Sequence, residues 1–136
     1  MFSGGCVFID HASGCMSIKH QVAINSTENV KAKLIFEREA QSQGVVIKGY
    51  HTYNGIFNAS EFMEELLKKQ KNISFSGDGA SHQNGAAERT IKRVGTMART
   101  MLIHAALRCP EDTFFLPMEM DYSIWVYNWI PDIHSG

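Results

Sequence analysis

The sequence predicts an α/β fold in which helices flank a mixed sheet. Three observations predict it. Short runs of β-branched and aromatic residues alternate with longer segments whose apolar residues recur every three or four positions. Two such short runs, joined by a turn, come first and supply a hairpin. The run Val45-Val46-Ile47 is near-continuously apolar, the pattern of a strand buried in a parallel pairing. A chain of 136 residues has room for one domain with one modest core.

Each element follows from its residues. Cys6-Val7-Phe8-Ile9 reads as a strand, Asp10 to Gly14 as a turn rich in residues that bond their own backbone, and Met16 to Ile24 as the returning strand. Asn25, with Glu28 three residues on, is the start of a helix whose apolar stripe is Val30, Leu34, Ile35, Phe36 and Ala40. Gly44 is its expected stop, because glycine takes the left-handed conformation without strain. A strand then runs from Val45 to His51, and Asn54-Gly55 turns the chain. Asn58 and Glu61 repeat the cap pattern ahead of a second helix, with Phe62, Met63, Leu66 and Leu67 facing inward. Ile73-Ser74-Phe75 is a short strand, and residues 76–83 form a loop that is expected to be mobile. The strongest helical period follows, in Ala87, Ile91, Val94, Ala98, Met101, Leu102 and Ala105. Pro110 breaks it. A last helix, opened by Pro117 and ended by Pro131, holds Trp125 and Trp129 as expected core.

Composition excludes several classes. The net charge is −1, so any nucleic-acid footprint must be local. Cys6, Cys15 and Cys109 are odd in number and hold no Cys-x-x-Cys pair, which argues against a zinc site or disulfide framework and for a reducing compartment, nucleus or cytoplasm. The first five residues lack the features of a signal peptide. The apolar stretch from Phe114 to Ile130 is interrupted by Pro117, Glu119 and Asp121, so a buried helix is expected and no membrane partner. The six histidines have no metal-ligand spacing, and there is no Gly-x-Ser-x-Gly elbow.

Two segments carry chemistry. In His82-Gln83-Asn84-Gly85-Ala86-Ala87-Glu88-Arg89 a polar turn runs into an acid at a helix start. Glu88 there either complements the helix dipole or offers a hard oxygen to Mg²⁺. Arg89, Lys92, Arg93 and Arg99 follow, either as a solvated face or as a phosphate-contacting surface. In His51-Thr52-Tyr53-Asn54-Gly55 a strand ends at a turn, where open α/β sheets bind ligands, but a neutral phenol at Tyr53 is a poor metal ligand.

Together these segments resemble the catalytic core of retroviral-type integrases. Phe8-Ile9-Asp10-His11-Ala12-Ser13-Gly14 is similar to that family's second-strand segment. Residues 47–57 resemble the strand carrying its second catalytic aspartate, and residues 82–89 with Ala98-Arg99-Thr100-Met101-Leu102 the segment carrying its glutamate. The wording is nearest to copia-type LTR retrotransposons, and Leu116-Pro117-Met118 with residues 127–131 matches the helix that follows there.

The resemblance implies a ribonuclease H-like mixed sheet and an Asp-Asp-Glu triad holding two Mg²⁺ or Mn²⁺ ions for cutting and joining DNA. On this chain it implies an integrase core over residues 1–136, truncated at the N-terminus, with the core near 5–108 and the following helix near 113–131. Glu88 matches the glutamate, as catalytic and metal-binding residue. Tyr53 occupies the second aspartate position. The first aspartate belongs to a strand that is missing here, and neither Asp10 nor Asp78 takes its place. The implied partner is DNA, both element ends and target. It would be contacted by Arg89, Lys92, Arg93 and Arg99 together with His82, Gln83 and Asn84. The expectation is a catalytically degenerate integrase-like domain; its rival is a non-catalytic nucleic-acid-binding or assembly module. In the family the missing strand lies inside the sheet, so an exposed edge and homo-oligomers are expected.

Overall fold

A computed structural model describes residues 2–52, 60–75, 85–108 and 116–130. The elements are β1 (Gly4–Ile9), β2 (Met16–Gln21), α1 (Ser26–Ser42), β3 (Gly49–Thr52), α2 (Ser60–Lys68), β4 (Asn72–Phe75), α3 (Gly85–Arg108) and α4 (Leu116–Trp129). Their order is the one the sequence predicts. Among the described residues no helix is long and apolar enough to cross a membrane. The expected loop at 76–83, the Asn54-Gly55 turn and the Asn58 cap lie outside the described residues.

The chain divides into two compact units, one of residues 1–6 and 19–86 and the other of residues 7–18 and 87–136. β1 and β2 pair as a hairpin. It is antiparallel, since Ser3 donates its N–H to the Gln21 carbonyl at the open end (2.8 Å) and Asp10 to that of Cys15 at the turn (2.8 Å).

In the first unit β3 and β4 pair in parallel, Gly49 opposite Asn72 through Thr52 opposite Phe75. A Cβ on Gly49 would come within 2.8 Å of the Asn72 carbonyl oxygen, so glycine is what lets the two backbones meet. Asn25 caps α1 by accepting the Glu28 N–H (2.9 Å). The helix ends in a Schellman motif: Gly44, at φ +76°, donates to the Gln41 carbonyl and Val45 to that of Ala40. α2 closes in the same way, with Gln70 at φ +52° donating to Leu67 and Lys71 to Leu66. α1 is joined to α2 by Ser26 and Thr27 hydroxyls on the Glu61 carboxylate, and to β2 by a buried Gln21–Asn29 amide pair (2.8 Å).

Around Glu37 the first unit gathers its charges. The carboxylate accepts from the Tyr50 hydroxyl (2.7 Å) and pairs with Lys71 (2.8 Å), Lys33 (3.3 Å) and Lys69 (3.4 Å). Burial pushes the Glu37 carboxyl up, but bonds from Lys71 and Tyr50 and the nearby Lys33 outweigh it and hold the carboxyl at about 2. Burial, with the bond to Glu37, raises the Tyr50 phenol, which stays a donor. Lys33 is fully buried with Glu37 as its ion-pair partner, and that burial lowers its pKa against the pull of Glu37.

The second unit closes over Met16, Val94 and Ile124, with Val7, Ile9, Ile18, Met120 and Tyr127 packed against them. Asn128 on α4 treats the backbone of Met16 as a neighbouring strand would. Its Oδ1 accepts the Met16 N–H (2.8 Å) and its Nδ2 donates to the Met16 carbonyl (2.8 Å).

Several expectations are corrected. The third strand starts at Gly49, not Val45, because β4 is only four residues long and offers Val45 to Ile47 no partner; Val45 and Val46 are exposed. On α1 the buried line is Asn29, Ala32 and Lys33, while Ile35 is exposed. On that face Asn29 meets Gln21 of β2, and Lys33 pairs with Glu37 of the same helix. Leu67 of α2 is exposed, whereas Phe62 and Leu66 are buried as expected. Trp125 and Trp129 are exposed, because α4 turns Met120, Ile124 and Tyr127 to its own core instead. The described strands pair as two two-stranded sheets, one antiparallel and one parallel, and do not form one continuous mixed sheet. Both kinds of pairing expected of a mixed sheet are present; no described strand links them.

Candidate functional site

α3 carries most of the candidate residues. It begins at Gly85, and Glu88 stands in its first turn, exposed, where an acid meets the helix's unbonded N–H groups. Val94 and Ala98 fasten the other side of the helix and are completely buried. Arg89, Lys92, Arg93 and Arg99 are all exposed. At 100° per residue they cover about a third of the helix circumference, and Glu88 borders that strip. One helix therefore brings together Glu88 and all four cations. Arg93 is held from outside α3: its guanidinium lies 5.8 Å above the Tyr127 ring of α4. Sequence alone gives no sign of that contact, since Tyr127 is far along the chain and its neighbours carry no matching period.

The other candidate segment lies at the C-terminal end of β3. His51 there meets the Ser74 hydroxyl through Nδ1 (2.8 Å), across a directly opposed pair of the parallel ladder. Thr52 ends the strand. Tyr53, His82, Gln83 and Asn84 lie outside the described residues.

Asp10 is committed elsewhere. Its Oδ2 accepts from the Ser13 hydroxyl and from the Ser13 N–H (2.8 Å). The hydroxyl bond first, then the backbone bond, holds its carboxyl below the usual range. The residue shapes the hairpin turn. Cys6 is buried, and burial pushes its thiol up to about 12, far from a reactive thiolate.

Among the described residues no three His, Cys, Asp or Glu side chains converge closely enough to hold a metal ion. Glu88 offers one carboxylate, and one carboxylate does not fit a two-metal centre, which needs several anionic oxygens to hold two dications close together.

The fold has solved counterparts. The chain aligns with the HTLV-2 integrase catalytic core domain in complex with magnesium, in its trimeric form, at TM-score 0.66 and 23% identity, covering 97% of this chain and 78% of that one. The dimeric form aligns at 0.65 and 22%, covering 97% and 79%. A chain of the simian T-cell lymphotropic virus intasome in complex with PP2A regulatory subunit B56 gamma aligns at 0.65 and 19%, covering 93% of this chain and 42% of that one. No protein-family model and no curated protein sequence matches the chain. The fold is that of integrase catalytic cores, a mixed α/β arrangement.

Proposed function

We propose that this chain is an integrase core-like domain for DNA integration, of copia-type retrotransposon origin, that has lost catalysis and keeps nucleic-acid binding. The observation that carries the reading is the exposed strip Arg89, Lys92, Arg93 and Arg99 on α3, beside Glu88, in an integrase-core fold. The phosphate backbone is bound by such cations at a cost in salt sensitivity, because each neutralised phosphate releases counterions. Tyr53 at the second aspartate position and the lone Glu88 supply too little negative charge for paired Mg²⁺ or Mn²⁺, so no step is derived through the metal. His82, Gln83 and Asn84, which precede α3 in the sequence, are assigned DNA contacts as well. Self-association belongs to this reading, supported by the dimeric and trimeric forms of the HTLV-2 core.

The test measures 3′-end processing and strand transfer with Mg²⁺ and with Mn²⁺, and DNA binding across a salt series. Binding that weakens with salt, falls with Arg93→Ala and ignores Glu88→Gln is expected, with no strand transfer. Metal-dependent strand transfer abolished by Glu88→Gln would overturn the loss of catalysis. Absence of salt-dependent binding would overturn the nucleic-acid role. A non-catalytic nucleic-acid-binding or assembly module is the second reading, favoured by the same strip because the strip acts without metal.

A further inference from the structure

Tyr127 of α4 has a place in the core and a second contact outside it. The half-buried residue packs against Met16, Val94 and Ile124. The exposed Arg93 of α3 sets its guanidinium over the same ring, 5.8 Å from the centroid. The ring is fixed from both sides along α4. Asn128, the next residue, accepts the Met16 N–H (2.8 Å) and donates to the Met16 carbonyl (2.8 Å). One turn earlier Ser123 is fully buried, and its hydroxyl meets the Met101 sulfur of α3 (3.4 Å). α4 cannot slide or roll along α3 without breaking these contacts, so Tyr127 keeps its place beside Arg93.

Position matters for a cation that meets phosphate. Freezing a long side chain at an interface lowers affinity roughly two- to tenfold. A guanidinium resting on a ring is ordered before the ligand arrives. Its N–H donors lie in the plane of the group, so a ring against its face leaves the edges to grip a phosphate through two bonds at once.

We propose that Tyr127 is a positioning residue for nucleic-acid binding, holding Arg93 on the α3 strip as a preformed fork for a backbone phosphate. The proposal rests on the nucleic-acid reading above and adds to it a residue from a different helix.

The full chain and its variants are titrated with a duplex DNA oligonucleotide across a salt series. Tyr127→Leu removes the ring and is expected to weaken binding about three- to tenfold at fixed salt. Its salt slope is expected to match that of the native chain, because Arg93 still neutralises its phosphate. Tyr127→Phe keeps the ring face and is expected to restore native affinity. Arg93→Ala is expected to lower the slope by about one, and Tyr127→Leu added to it is expected to cost nothing further. A Tyr127 that only supports the fold would weaken both backgrounds equally, and that result overturns the proposal. So does a loss in Tyr127→Phe as large as in Tyr127→Leu. A nuclear magnetic resonance signature decides the matter even where Tyr127→Leu does not fold. The Nε proton of Arg93, identified by its loss in Arg93→Ala, is expected upfield of other arginines in the native chain, through shielding by the ring, and to stay there in Tyr127→Phe. A signal at the ordinary arginine position overturns the proposal. A native chain without salt-dependent binding overturns the nucleic-acid reading itself, whereas native affinity kept in Tyr127→Leu overturns the role of Tyr127 alone.

Discussion

Glu37 is the residue on which the first unit's electrostatics depend. Its carboxyl is held at about 2 against an ordinary 4.5, so the folded state binds its proton more weakly than the unfolded chain does. The stability it contributes is complete above pH 4.5 and is lost as pH falls from there towards 2. Urea midpoints measured between pH 2 and pH 5 should fall steeply for the native chain. For Glu37→Gln they should be lower at neutral pH and flatter with acid; equal slopes for the two proteins would refute the assignment. None of this was legible in the sequence. Glu37 lies on a helix whose apolar residues pointed to a different face, and its partners Tyr50, Lys69 and Lys71 come from β3 and the α2–β4 turn. Buried polar groups are satisfied by whichever partner the fold brings close, and spacing along the chain does not report that.

At the scale of elements, two helix ends show what sequence reveals and what it hides. α1 stops at Gly44 and α2 at Gln70, through the same pair of hydrogen bonds and the same left-handed conformation. Only the first carries the residue that adopts that conformation without strain. Gln70→Gly should therefore stabilise the chain by up to about 1 kcal/mol, relief of left-handed strain exceeding the added freedom of the unfolded chain. A raised urea midpoint with an unchanged slope is the expected reading, and a lowered one refutes it. The third strand was misplaced for a related reason. The apolar run from Val45 suggested a strand, but a strand needs a partner, and β4 begins only opposite Gly49. The turn that ends α2 fixes where β4 begins, and that turn had no local signal.

For the whole molecule, the order of elements was legible because hydrophobic period and turn residues act locally, and the integrase-core fold was legible only through the resemblance carried by residues 47–57 and 82–89. The basic strip on α3 was legible too, since one helix carries all of it. The outward turn of Trp125 and Trp129 was not, since a large aromatic residue is buried by default and only the packing of α4 shows which of its two apolar faces is used. Nor was the division into two units, in which residues 7–18 join residues 87–136.

The link between Met16 and Asn128 ties together points 112 residues apart. As the chain leaves the ribosome, the Met16 end of β2 must wait for Asn128 of α4, 112 residues on, before its backbone is matched. Loop-closure entropy makes such a contact late even in refolding. The first unit, whose contacts span short stretches, can form well before. Asn128→Ala should leave the first unit intact, cost about 1–3 kcal/mol in the second, and speed hydrogen exchange at the Met16 amide. Protection of that amide unchanged in the variant would show that the amide clip is not what secures it. The second unit is thus assembled from segments far apart in the sequence, and its early strand residues stay unmatched until α4 has been made.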